Sequence, residues 1–355
     1  MWESARGITE RNTNKRSVKK EAHGRTGSFH ADQNMKKYDV VALGELLIDF
    51  TQNGLSGQGN PLFEANPGGA PCNVLAMLAK LGHKTAFIGK VGDDFFGEQL
   101  RAAITEVGID GAYLLRDEEV HTTLAMVHTL PGGDRDFSFY RNPGADMMLS
   151  EAEVPENLLG ETEIFHFGTL SMTHDGVRKA TKKAIKEAKE QGALISFDPN
   201  LRPPLWKSLE EAKEQVAYGL SKCDFLKISD NEIQWFTGEM DFDAGIAKLQ
   251  QEYQIPLIVL SMGKDGSRAY YKDLKVEAAP FLQEATIETT GAGDTFGACC
   301  LHHILKYGIG QLDEERLKEM LTFSNAAASI VTTRKGALRV MPEPEEVCRL
   351  IDALR

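Results

Sequence analysis

Residues 164–228 carry the pattern that decides the fold. Ile164-Phe165-His166-Phe167 is a short apolar run, a Lys-rich stretch of helical length over 175–191 is closed by Gly192, and Ala193-Leu194-Ile195-Ser196-Phe197 is a second apolar run. A helical segment after Pro204 and a third run, Asp224-Phe225-Leu226-Lys227-Ile228, repeat the alternation, and a further helix leads into a strand at 256–261. Strands separated by helices of this length predict an α/β fold with a mostly parallel sheet and helices on both faces. In such sheets the site lies beyond the carboxyl ends of the strands.

Outward from this block, Tyr38-Asp39-Val40-Val41-Ala42-Leu43-Gly44 reads as a buried strand, so the fold is expected to begin at about residue 35. Phe95, Leu100 and Ile104 recur at helical spacing over 94–107, and Gly108 closes that helix. Residues 121–128 and 136–141 read as two strands joined at Pro131-Gly132-Gly133, a β insertion between α/β units. Residues 1–34 hold seven Lys/Arg and four Asp/Glu with no period of 2 or 3.6, and are read as a disordered extension.

Composition narrows the function classes. With 355 residues, 42% of them hydrophobic, the chain is long enough for one large core or two smaller ones. The excess of 52 Asp+Glu over 40 Lys+Arg, a net charge of -12, gives no basis for sequence-independent nucleic-acid binding. No apolar stretch approaches the roughly 18 residues of a membrane span, and no signal-peptide pattern opens the chain, so a cytoplasmic protein is expected. Five cysteines without a C-x-x-C pair, and nine histidines without H-E-x-x-H, argue against a disulfide scaffold or a zinc site.

Two segments carry candidate chemistry. Thr289-Thr290-Gly291-Ala292-Gly293-Asp294-Thr295-Phe296-Gly297-Ala298 opens a helix, and its glycines would let backbone amides converge where unpaired N–H groups and the helix dipole attract an anion. An ordinary helix start, with Asp294 favouring the dipole, is the plainer alternative. Asn66-Pro67-Gly68-Gly69-Ala70-Pro71-Cys72-Asn73 precedes a second apolar helix face, where Asn73 is either a hydroxyl ligand or part of a capped helix start. A Walker A loop is absent, since Gly89-Lys90 and Gly263-Lys264 are followed by Val and Asp. Gly291, Gly293 and Gly297 miss the G-x-G-x-x-G spacing, which leaves a dinucleotide-dependent dehydrogenase as a weaker reading.

Taken together, 68–73 and Thr290-Gly291-Ala292-Gly293-Asp294-Thr295-Phe296 resemble the paired signatures of the ribokinase-like (pfkB) carbohydrate kinases, in the same order and separation. The likeness runs from about Lys36 to the C-terminus. Residues 42–49, 139–147 and 198–206 are most similar to the fructokinase branch. The resemblance implies a Rossmann-like three-layer core with a small β-sheet lid, the ribokinase-like fold, with lid strands within about 50–66 and 112–142. It implies an ATP-dependent kinase acting on a sugar's primary hydroxyl, most naturally fructose, with Mg²⁺ and a K⁺ site in many relatives. A 2-keto-3-deoxygluconate kinase, a ribokinase, and a non-catalytic nucleotide-binding module are the alternatives.

Residue by residue, the resemblance makes Asp294 the base and the amides of Gly291, Ala292 and Gly293 the anion hole. Asp49, Gly69 and Asn73 match positions that hold sugar hydroxyls, and Arg141 matches a lid arginine that reaches the substrate. Arg202 matches a phosphate-bridging arginine, while Gly263, Gly266 and Asn325 match the nucleotide pocket. Glu232 matches the glutamate of N-x-x-E that organises Mg²⁺ through water, although Ser229 replaces the Asn. Glu288 stands where many relatives have Asp beside the monovalent cation, with Thr290 nearby. A homodimer formed through the lid is also implied.

Overall fold

The computed structural model describes residues 36–129 and 135–353. The proposed extension over 1–34 and the Pro131-Gly132-Gly133 turn lie outside the described residues. From the N-terminus, β1 (Tyr38–Leu43) leads to β2 (Leu47–Leu55), β3 (Pro61–Gly68) and α1 (Ala70–Lys80), then to β4 (Thr85–Gly92) and α2 (Phe95–Glu106). Asp94 caps α2 by accepting from the Gly97 amide at 2.8 Å. Short strands β5 (Ile109–Asp110) and β6 (Leu114–Asp117) precede the pair β7 (Leu124–Thr129) and β8 (Arg135–Tyr140).

The alternating block follows as β9 (Thr162–Phe167), α3 (Asp175–Glu190), β10 (Leu194–Phe197), α4 (Leu209–Leu220) and β11 (Phe225–Ser229). Where one further helix was expected there are two, α5 (Asp230–Thr237) and α6 (Phe242–Tyr253). Gly238 ends α5 in the left-handed region at φ 75°, and Asp241 starts α6 by capping the Ala244 amide. The chain continues through β12 (Leu257–Ser261), β13 (Ser267–Tyr271) and β14 (Leu274–Ala278) to α7 (Ala292–Tyr307), α8 (Glu314–Val331) and α9 (Pro344–Ala353).

The main sheet runs β14-β13-β12-β11-β10-β9-β1-β4-β5, with β6 also on β4. From β12 to β5 neighbours are parallel, and β13 and β14 add an antiparallel edge. Each central strand divides its side chains between two cores: Val40 and Ala42 face α1, α7 and α8, whereas Val41 and Leu43 face α3 and α4. The chain order reverses direction at β1, between β9 and β4, and that switch point places loops from both halves around one crevice.

In the second core, Phe167 and Phe197 stack at 4.7 Å between centroids, and α4 passes so close to Phe197 that Gly219 has no room for a Cβ. Phe197→Ala is expected to cost about 3–5 kcal/mol, because the rigid sheet and α4 cannot collapse into the void. Urea denaturation would read this, and a loss below about 1 kcal/mol would show that the site repacks.

A separate four-stranded sheet, β3-β2-β7-β8, stands over the crevice. The lid range expected over 112–142 is narrower here: β6 pairs with β4 in the main sheet, and the chain joins the small one at Thr123 and Leu124, which face Ile48 of β2. The reason is local. Thr122 and Thr123 are buried and anchored to the core side by hydrogen bonds to Asp94 and Asp146.

Candidate active site

Two helices begin at the floor of the crevice. α1 starts at Gly69, whose φ of 128° is reserved for glycine and whose Cβ would run into the Glu45 carbonyl oxygen. Glu45 Oε1 accepts from the Ala70 amide at 2.9 Å, so a carboxylate satisfies one of the orphan donors of this helix start. α7 starts at Gly291 with φ 76°, where a Cβ would press on Ala337. The first-turn amides of α7 have no intrahelical acceptors. Of the three amides expected to form the anion hole, that of Ala292 donates to the Thr289 carbonyl at 3.2 Å, which leaves Gly291 and Gly293 lining the cleft.

The two starts meet through one hydrogen bond: Asn73 Nδ2 donates to Asp294 Oδ2 at 2.8 Å, across 221 residues of sequence. Asn73 Oδ1 is buried and has no hydrogen-bond partner in the structure. Burial raises the Asp294 pKa, against the opposing pull of the Asn73 hydrogen bond and of Lys227 and Arg202. A raised carboxylate pKa makes a stronger base.

The cleft, of about 380 Å³, brings Asp49, Gly69, Asn73, Arg202, Thr290, Gly291, Gly293 and Asp294 together. From the lid, Phe137 and Phe139 close over it, and the Arg202 guanidinium lies 5.8 Å from the Phe137 ring centre. Arg141 is placed differently from the expectation. Its guanidinium is buried, pairs with Asp146 at 2.7 Å, and donates to Thr173 Oγ1 and the Leu170 carbonyl. A buried guanidinium must satisfy its donors, and Asp146, Thr173 and Leu170 do so while Arg141 itself stays out of the cleft lining. Arg141 therefore ties the end of β8 to the core next to Leu170, which does line the cleft.

Glu232 is likewise a structural hub. Oε2 accepts from the Ser229 amide and hydroxyl at 2.9 Å, while Oε1 accepts from the Leu201 amide at 2.8 Å. Ser229, at the place of the expected Asn, is the N-cap of α5, and Glu232 completes its capping box. The same carboxylate fixes the loop that carries Arg202. Asn325 and Gly266 converge on the end of β14: Asn325 Nδ2 donates to the Ala278 and Ala279 carbonyls, and Gly266 packs on Ala278 with no space for a side chain. Gly263 opens this turn at φ 52°. Glu288 Oε1 accepts from the Gly336 amide at 2.8 Å, bridging the loop before the anion hole to the loop at 334–337.

Two further cleft residues escaped the sequence reading. Glu45, 4% exposed, lines the cleft, and burial pushes its carboxyl up to about 7. Because the folded chain binds this proton more tightly, the associated stability is complete below the ordinary pKa of 4.5 and disappears as pH rises through about 7. Glu45→Gln keeps an acceptor for Ala70 and removes the titration. Its stability relative to wild type should therefore rise between about pH 5 and about pH 8, by on the order of 3 kcal/mol. A pH-independent difference in chemical denaturation would refute this. Lys227 is the second such residue. It lies on β11 and pairs with Asp198 at 3.0 Å. The available signal was a lysine inside an otherwise apolar strand.

A site with two glycine-initiated helix starts, a carboxylate between them and a small sheet above defines an α/β phosphotransferase that takes a hydroxyl acceptor. The chain belongs to the pfkB family of carbohydrate kinases, whose profile matches residues 37–344. It is 40% identical to the probable fructokinase-2 of Arabidopsis thaliana over 305 residues, 85% of this chain and 92% of that one. The ATP-bound fructokinase of Xylella fastidiosa superposes with a TM-score of 0.81 at 29% identity, covering 89% of this chain and 98% of that one. A double mutant of Vibrio cholerae fructokinase, solved with fructose, ADP and potassium, gives 0.81 at 27% identity, over 90% and 100% of the two chains.

Proposed function

We propose that this carbohydrate kinase transfers the γ-phosphoryl group of ATP to the primary hydroxyl of fructose, giving fructose 6-phosphate and ADP. The observation that carries the reading is the Asn73–Asp294 hydrogen bond, with the unpartnered Asn73 Oδ1 beside it. That oxygen suits a sugar hydroxyl donor, and Asp49 supplies a second acceptor on the lid side of the same cleft. Asp294 takes the proton from the attacking hydroxyl as its oxygen bonds the γ-phosphorus and the bond to the ADP oxygen breaks. The Gly291 and Gly293 amides face the charge on the transferring group, and Arg202 bridges the phosphates. Positioning and electrostatics supply most of the catalysis in such a transfer. The lid phenylalanines exclude water, the competing acceptor.

Mg²⁺ would arrive on the nucleotide, held mainly by phosphate oxygens and water, since among the described residues no cluster of three carboxylate, histidine or cysteine side chains forms a metal cage. Glu232 would face it through water, and the ion would neutralise the β- and γ-phosphates. For a K⁺ site the support is Glu288, a carboxylate in the loop before the anion hole that accepts from the Gly336 amide. Exposed Leu55, Leu62, Phe63 and Tyr140 on the lid support a homodimer through that sheet. Among the described residues no helix is long and apolar enough to cross a membrane, and a cytoplasmic location fits an enzyme that consumes ATP.

The test is an ADP-coupled assay with fructose, ribose, 2-keto-3-deoxygluconate and fructose 1-phosphate. Fructose should give the highest kcat/KM. A higher value for another sugar would reassign the substrate, and ATP binding without turnover on any sugar would favour a non-catalytic module.

A further inference from the structure

We propose that Lys227 is a catalytic residue whose ammonium meets the γ-phosphoryl group as it transfers, and that Asp198 is the residue that positions it. The inference rests on the kinase reading above. Lys227 is the middle residue of β11, and its side chain lines the cleft together with Gly291, Gly293 and Asp294. Its Nζ lies 3.1 Å from the point that a Cβ on residue 293 would occupy. Gly293 is not among the residues with positive φ, so its backbone conformation does not call for glycine. The approach of Lys227 does: an alanine at 293 would crowd the ammonium away from the α7 amides.

The charge balance of the spot supports the same role. Burial alone would lower the Lys227 pKa, but Asp198, Glu232 and Asp294 around it more than reverse this and hold the ammonium charged. Asp198 is fixed at both oxygens: Oδ1 accepts from the Asn200 amide at 3.2 Å, and Oδ2 from Lys227 at 3.0 Å. An ammonium has three donors in a compact head, so Lys227 can keep Asp198 and still reach an incoming phosphoryl oxygen. No proton leaves Lys227 in this role; Asp294 accepts the proton of the sugar hydroxyl, and Lys227 offsets negative charge on the group in flight. A fixed cation in a water-poor cleft is worth far more than one in solvent.

The test compares Lys227→Met, Lys227→Arg and the double variant Lys227→Met with Asp198→Asn, which removes both buried charges and keeps the fold testable if the single variant does not fold. Loss of one such stabilising group is expected to lower kcat by about 10²–10³-fold. Calorimetry should show binding of a non-hydrolysable ATP analogue weakened by about tenfold, with ADP and fructose changed less than about twofold; the Arg variant should retain the preference for the ATP analogue. If the double variant recovers turnover close to wild type, or if ADP and ATP-analogue affinities fall together, Lys227 serves only to neutralise Asp198 and the assignment is overturned. A wild-type chain inactive on every sugar sinks the kinase reading itself. An active wild type beside an equally active Lys227→Met chain sinks only the assignment of Lys227.

Discussion

Asp294→Asn should lower kcat for fructose by about 10²–10⁴-fold while leaving the affinities for fructose and ATP nearly unchanged. Asparagine keeps the size of the side chain and an oxygen that can accept from Asn73 Nδ2, so the contact between the two helix starts survives. What it loses is the ability to take the proton from the attacking hydroxyl. Steady-state kinetics paired with calorimetry separates these effects, and near-normal turnover would remove Asp294 from the role of base. The pH profile gives a second reading. Because burial raises the Asp294 pKa in the free chain, the acid limb of kcat/KM in the wild type should be shifted upward from that of an ordinary aspartate, with activity falling as pH drops through it. That limb should vanish in the Asn variant.

Gly69→Ala should damage both stability and turnover. At φ 128° any L-residue is strained, a cost of about 1–3 kcal/mol, and the new Cβ would also meet the Glu45 carbonyl. The backbone must then move, carrying the Glu45–Ala70 bond and the first turn of α1 with it. Asn73 sits in that turn, so its contact with Asp294 shifts, and a displacement near 1 Å at a reacting centre costs about 10²-fold. Gly82→Ala is the control, because Gly82 has φ 87° but open space around it. It should lose only the conformational part, about 1–2 kcal/mol, and keep full turnover. Equal melting temperatures and equal rates for the two variants would show that the contact with Glu45 does not matter.

Much of the fold was legible because its causes are local. Apolar runs, helix-length spacers and Gly192 describe β9, α3 and β10 to within two residues at each end. The break between α5 and α6 is written in Gly238 and Asp241, a left-handed helix stop followed three residues later by an N-cap. The start of the lid was less legible: Thr122 and Thr123 look like strand residues, and their bonds to Gly92, Asp94 and Asp146 hold them on the core.

The candidate site divides in the same way. That 291–294 would open a helix, and that 69–73 would do so as well, follows from glycine, proline and apolar spacing within a few positions. Residues 164–228, by their alternation alone, determined a parallel α/β sheet with its crevice at the strand ends. Tertiary structure alone decided that Asn73 faces Asp294, that Arg141 turns to Asp146 rather than into the cleft, and that Lys227 comes up beneath Gly293. Local conformation answers to neighbours along the chain, whereas the partner of a buried polar group is set by which strands lie side by side and by the need to leave no charge unpaired.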